Sequence, residues 1–200
     1  MRKSITATGL VVACAAMAIP AVAVQAAPQA PAAGNTMITM KVTGCEGCTI
    51  TPVRAITGED AVWSGTAVKV KGGKAVLTVP TAKTRGMSFN LEASWNVAIN
   101  AMPVIVTQYE GTQPGQVVTK RQAMGLASAT GCWAGTTEPA VTVRVTVRRV
   151  TMPAFPPGGK KKTTQVPLAW MVPTQSATGG FDTASKGVIA QQNAWFCPDA

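Results

Sequence analysis

Val141, Val143, Val145 and Val147 alternate strictly with Thr142, Arg144, Thr146 and Arg148. A period of two puts one set on each face of a strand, so this stretch reads as β-structure with one dry and one wet side. The segment Thr66 to Pro80 repeats the pattern around a turn. Val68 and Val70 alternate with Lys69 and Lys71, Gly72-Gly73 follows, and Ala75, Leu77 and Val79 continue the apolar side. Two glycines supply the positive φ values of a type I′ hairpin, which sets Val70 against Ala75 and Val68 against Leu77, with the lysines on the other side. Alternating runs also flank Cys45 and Cys48, at Thr36–Val42 and Thr49–Val53. Further strands are expected at Met87–Ala93, Val104–Glu110, Gln116–Gln122, Val141–Val150, Gln165–Val172 and Gly187–Phe196. Pro153 to Lys162, with three prolines and three lysines, is expected to be an exposed loop. No helical period competes. About nine short strands with one wet face each predict an all-β fold, an antiparallel β-sandwich of immunoglobulin-like type over residues 36–200. Two small β subdomains, 36–95 and 103–200, are the alternative.

The first residues have a different character. Met1-Arg2-Lys3 is basic, the run from Ile5 to Val24 is apolar, and Val24-Gln25-Ala26 has the small residues a signal peptidase accepts. Residues 1–26 therefore read as a signal peptide and 27–35 as an Ala/Pro-rich leader. Val11-Val12-Ala13-Cys14 resembles a bacterial lipobox, with lipidation at Cys14 as the alternative to cleavage. No second apolar segment of membrane-spanning length follows, so the mature chain is expected to lack a transmembrane segment and to be secreted or extracellular, associated at most with the cell surface.

In an exported chain, the four remaining cysteines read as two disulfides, with three possible connectivities. Cys45 and Cys48 are close enough to bridge, which leaves Cys132 to pair with Cys197. Two chemical readings of Cys45-Glu46-Gly47-Cys48 compete with a structural bridge. Met40 to Cys48 resembles the metal-binding loop of heavy-metal-associated domains, which implies a soft cation such as copper held by two thiolates. A thiol-disulfide exchange site would need Cys45 at a helix N-terminus. Both need a helix, whereas Thr49-Ile50-Thr51-Pro52 favours extended chain. The pair is therefore expected to clamp a loop that lies outside the core, with no metal and no cofactor.

Taken together, Cys45–Cys48, Val79–Met87 and the segment Gly131-Cys132-Trp133-Ala134-Gly135-Thr136-Thr137 resemble a group of exported actinobacterial β-sandwich proteins with GCEGC and GCWAGTT motifs. The resemblance implies export and disulfide bonding and brings no activity with it.

The chain has a formal net charge of +10, or +8 once Arg2 and Lys3 leave with the signal peptide, and it contains no histidine. The missing imidazole removes Ser-His-Asp and Cys-His catalysis. Glu59-Asp60 are adjacent and would point to opposite sides of a strand, so they make no acid/base pair. Ser185-Lys186 is a lone adjacent pair. The reading is therefore non-enzymatic: an exported binding or surface-interaction module, with copper binding or thiol exchange through Cys45 and Cys48 as the alternative. Arg144 and Arg148 lie on one strand face about 13 Å apart, and Arg149, Lys160, Lys161 and Lys162 follow close enough in sequence to join them. The expected partner of this basic face is an anionic cell-envelope polymer or another exported protein. Aromatic residues are too few for a nucleic-acid stacking platform.

Overall fold

The computed structural model describes residues 34–56, 62–95, 103–109, 112, 116–119, 128–154, 162–172, 185–186 and 197. The expected signal peptide, Cys14, most of the expected leader, Glu59-Asp60, Lys160, Lys161 and the expected strand Gly187–Phe196 lie outside these residues. The described chain is all-β, with one 3-10 turn at Thr81–Lys83 and no α-helix. No helix among the described residues is long and apolar enough to cross a membrane.

The described strands are β1 (Asn35–Thr43), β2 (Thr49–Ala55), β3 (Val62–Ser64), β4 (Val68–Lys69), β5 (Lys74–Pro80), β6 (Ser88–Glu92), β7 (Ile105–Val106), β8 (Gln108–Tyr109), β9 (Ser128–Thr130), β10 (Ala140–Ala154), β11 (Lys162–Val172) and β12 (Ser185–Lys186). Twelve described strands replace the nine expected. The additions are mostly pieces of two or three residues, too short to carry a period. They form three sheets: β5-β1-β10-β11-β7, then β2 with β3, β4 and β6, then β12-β9-β8. The expectation of a wholly antiparallel arrangement is corrected, because β1 runs parallel to β10 and β7 parallel to β11. Parallel neighbours must be joined by long connections, so local sequence carries no sign of them.

One face of the five-stranded sheet and the β2–β6 sheet share the main core. Ile38, Met40 and Val42 of β1, Leu77 and Val79 of β5, and Val143, Val145 and Val147 of β10 pack with Ile50, Phe89, Leu91 and Trp133. Phe89 and Trp133 meet in a tilted ring contact, 5.6 Å between centroids. On the far side of β11, Leu168, Trp170 and Val172 pack with Val106, Tyr109, Val118 and Ala129 in a second cluster. Strand β11 is thus buried on both faces, which corrects the expectation of one wet face per strand and accounts for its unbroken apolar run.

The hairpin forms with Gly72 at φ 57° and Gly73 at φ 67°, as a type I′ turn requires. Its arms then part sooner than expected. Lys71 and Lys74 bridge, after which β4 joins β2 and β5 joins β1. The expected loop from Pro153 is also shorter, because β10 pairs through Ala154 with Lys162.

Tyr109, the chain's sole tyrosine, is buried in the second cluster, and among the described residues its hydroxyl has no hydrogen-bond partner. Burial pushes this hydroxyl well above its ordinary value of 10.0. The folded chain therefore keeps a proton that the unfolded chain releases above about pH 10, so stability is fully present below that pH and falls by about 1.4 kcal/mol per unit above it. Tyr109→Phe is expected to add about 1 kcal/mol at neutral pH by removing an unsatisfied buried group. It should also abolish this part of the alkaline loss. Urea unfolding of both proteins at pH 7 and in the alkaline range checks it, and a variant less stable than the parent at pH 7 contradicts it.

Candidate functional site

The two disulfides are Cys45–Cys48 and Cys132–Cys197, with Cα–Cα separations of 5.6 Å and 5.5 Å. Both fall in the range a bridge can span, and such bonds suit a non-reducing setting outside the cytosol. Strand β2 begins immediately after Cys48, so no helix dipole acts on the cysteine pair. Cys45 and Cys48 are only 4% and 2% exposed and belong to the main core. This corrects the expectation that the clamped loop stands apart from the core.

The other residues of the motif also serve the fold. Gly44 has φ 88°, and a Cβ there would overlap the Val147 carbonyl oxygen of β10. Gly47 takes φ 76° and donates its N–H to the Val70 carbonyl at 3.0 Å. Both carboxylate oxygens of Glu46 accept backbone N–H groups of the hairpin turn, from Gly72 and Gly73, each at 2.9 Å. The loop between the cysteines thus grips the turn that carries Lys71 and Lys74. The GCWAGTT segment is used similarly. The Trp133 backbone N–H donates to the Met87 carbonyl at 2.7 Å, and Thr84 donates its hydroxyl to the Thr136 carbonyl at 3.0 Å.

The exposed chemistry lies on the outer face of the five-stranded sheet. Register pairs Lys71 with Lys74, Lys74 with Lys41, and Lys41 with Arg144. Directly paired residues project from the same face of a sheet. The four cations therefore form one row across four neighbouring strand segments, all exposed, spanning about 14 Å at the usual inter-strand spacing. Arg148 adds a fifth cation on the same face, two outward positions along β10. At the other end the row stops at Val172, paired with Arg144 and buried in the second cluster. Among the described residues none of these five side chains has a hydrogen bond or an ion pair with a carboxylate. Glu46 is the acid beside the turn, and it is engaged by Gly72 and Gly73.

The structure places the residues grouped as a basic face in different positions. Arg144 and Arg148 share the outer face. Arg149 does not: the unbroken register of β10 turns it to the opposite face, where its guanidinium lies 4.3 Å from the Trp95 ring centroid. Strict alternation already implied this. Lys162 pairs with Ala154, six residues beyond Arg148 or about 20 Å along the strand. Lys41, Lys71 and Lys74 were missed. The hairpin placed Lys71 on a wet side, but no local signal ties it or Lys74 to Lys41 or Arg144. Ser185 and Lys186 form β12, which pairs with β9. Among the described residues no group of three His, Cys, Asp or Glu side chains is placed to hold a metal ion. Searches for related proteins return no matching protein-family model, no matching curated protein and no matching solved structure.

Proposed function

We propose that this protein is an exported, non-enzymatic binding module whose basic face docks an anionic polymer of the cell envelope. The observation that carries the reading is the row Lys71, Lys74, Lys41, Arg144. Like charges directly opposite one another in a sheet destabilise it, by a few tenths of a kcal/mol to about 1 kcal/mol per pair. Three such pairs stand in succession without a carboxylate among the described residues to offset them. A polyanion offsets all three, and its charges replace the small ions gathered along the row. The frame for this face is an immunoglobulin-like sandwich, a reading supported by two sheets that share one core.

Long-chain inorganic polyphosphate is a suitable probe, because it offers charge and nothing else. Lys41→Gln with Arg144→Gln is expected to weaken its binding by roughly tenfold at low salt and to flatten the salt dependence. Arg54→Gln with Lys83→Gln makes the same change in net charge away from the row and should alter binding by less than about twofold. Equal losses from the two double variants would mean that net charge, and not the row, attracts the polymer.

A further inference from the structure

We propose that the row takes an acidic polysaccharide whose chain lies across the strands. This rests on the polyanion reading above and names the polymer class. The first argument is spacing. Along β10 the outward cations Arg144 and Arg148 are about 13 Å apart, whereas across the sheet successive cations are about 4.8 Å apart. The row spans about 14 Å, the length of about three linked pyranose rings, so a polyuronate lying across the strands brings several carboxylates within reach of the long lysine and arginine side chains.

The second argument is the floor on either side of the row. On the sheet surface, Thr39 pairs with Thr142 one outward position before Lys41 and Arg144, and Thr43 pairs with Thr146 one position after. All four threonines are exposed or half-buried on the outer face, and among the described residues their hydroxyls have no hydrogen-bond partner. A charged row between two pairs of free hydroxyls suits a chain bearing both carboxylates and ring hydroxyls. It suits other polyanions less well. Among the described residues bases would find nothing on this face to stack on, since the nearest aromatic in register, Trp170 opposite Thr146, is buried in the second cluster. A lipid surface would meet only Met37 and Val76 as exposed large apolar side chains on β1 and β5, with Thr39 and Thr78 directly opposite them.

The test compares polygalacturonate with poly-L-glutamate of matched length and carboxylate concentration at low salt, using the full mature chain. Polygalacturonate should bind about tenfold more tightly, from a few added hydrogen bonds. Thr39→Val with Thr142→Val should reduce the difference to about twofold by weakening polygalacturonate alone. Valine keeps the strand propensity of these exposed sites, and a thermal melt of the variant verifies that it is folded. Equal affinity of the parent for the two polymers overturns the polysaccharide assignment while leaving polyanion binding intact. Tighter binding to phosphatidylglycerol vesicles than to polygalacturonate overturns it in favour of a lipid surface. Failure to bind these ligands and polyphosphate alike removes the polyanion reading itself, so the two failures are distinct.

Discussion

Replacing Cys132 and Cys197 together by alanine is expected to lower stability by about 4 kcal/mol, a consequence of losing a long cross-link from the unfolded chain. The bridge spans 65 positions, and its effect on chain entropy grows with the loop it closes. Native contacts add to this. Cys132 is buried next to Trp133, whose backbone pairs with Met87, and the Ser88 hydroxyl lies 3.4 Å from the Cys197 sulfur. The bridge therefore secures residue 197 where β6 meets the GCWAGTT segment. Denaturant unfolding of parent and double variant measures the loss. A midpoint that is unchanged in the variant, and unchanged in the parent by a strong reductant, would show that the bridge contributes nothing to the folded state.

Gly44→Ala should cost more than about 3 kcal/mol, while Gly72→Ala should cost about 1 kcal/mol. Both glycines have positive φ, 88° and 57°, so both variants carry the strain of a left-handed backbone. They differ in space. Nothing lies within 4 Å of a Cβ at Gly72, whereas a Cβ at Gly44 meets the backbone of Val147. A backbone carbonyl cannot turn aside as a flexible side chain does, so β1 must shift away from β10. That shift separates Lys41 from Arg144, and polyphosphate binding should fall in Gly44→Ala and persist in Gly72→Ala. Comparable unfolding free energies for the two variants would mean that β1 and β10 are not so closely apposed after Gly44.

Several features were legible in the sequence because they depend on near neighbours along the chain. Alternation assigned Val143, Val145 and Val147 inward and Arg144 and Arg148 outward, and it also assigned Arg149 inward, against its grouping with the basic face. Gly72-Gly73 specified a turn with positive φ at both positions. Thr49 to Pro52 specified extended chain after Cys48, which denied the cysteine pair a helix.

Other features depend on which strands become neighbours, and these only the tertiary structure decided. Strand β1 lies between β5 and β10, so Lys41 comes to stand between Lys74 and Arg144, residues 70 positions apart in the sequence. The two arms of the hairpin separate into different sheets, and β11 is covered on both sides. The burial of Cys45 and Cys48 belongs here too, since the core that encloses them draws on β1, β5, β6 and β10. The physical reason is that a strand's period of two follows from its own backbone, whereas its partner and register are chosen by long-range packing of buried faces. A cation's side of the sheet could thus be read from its position in the chain, and its neighbours in the row could not.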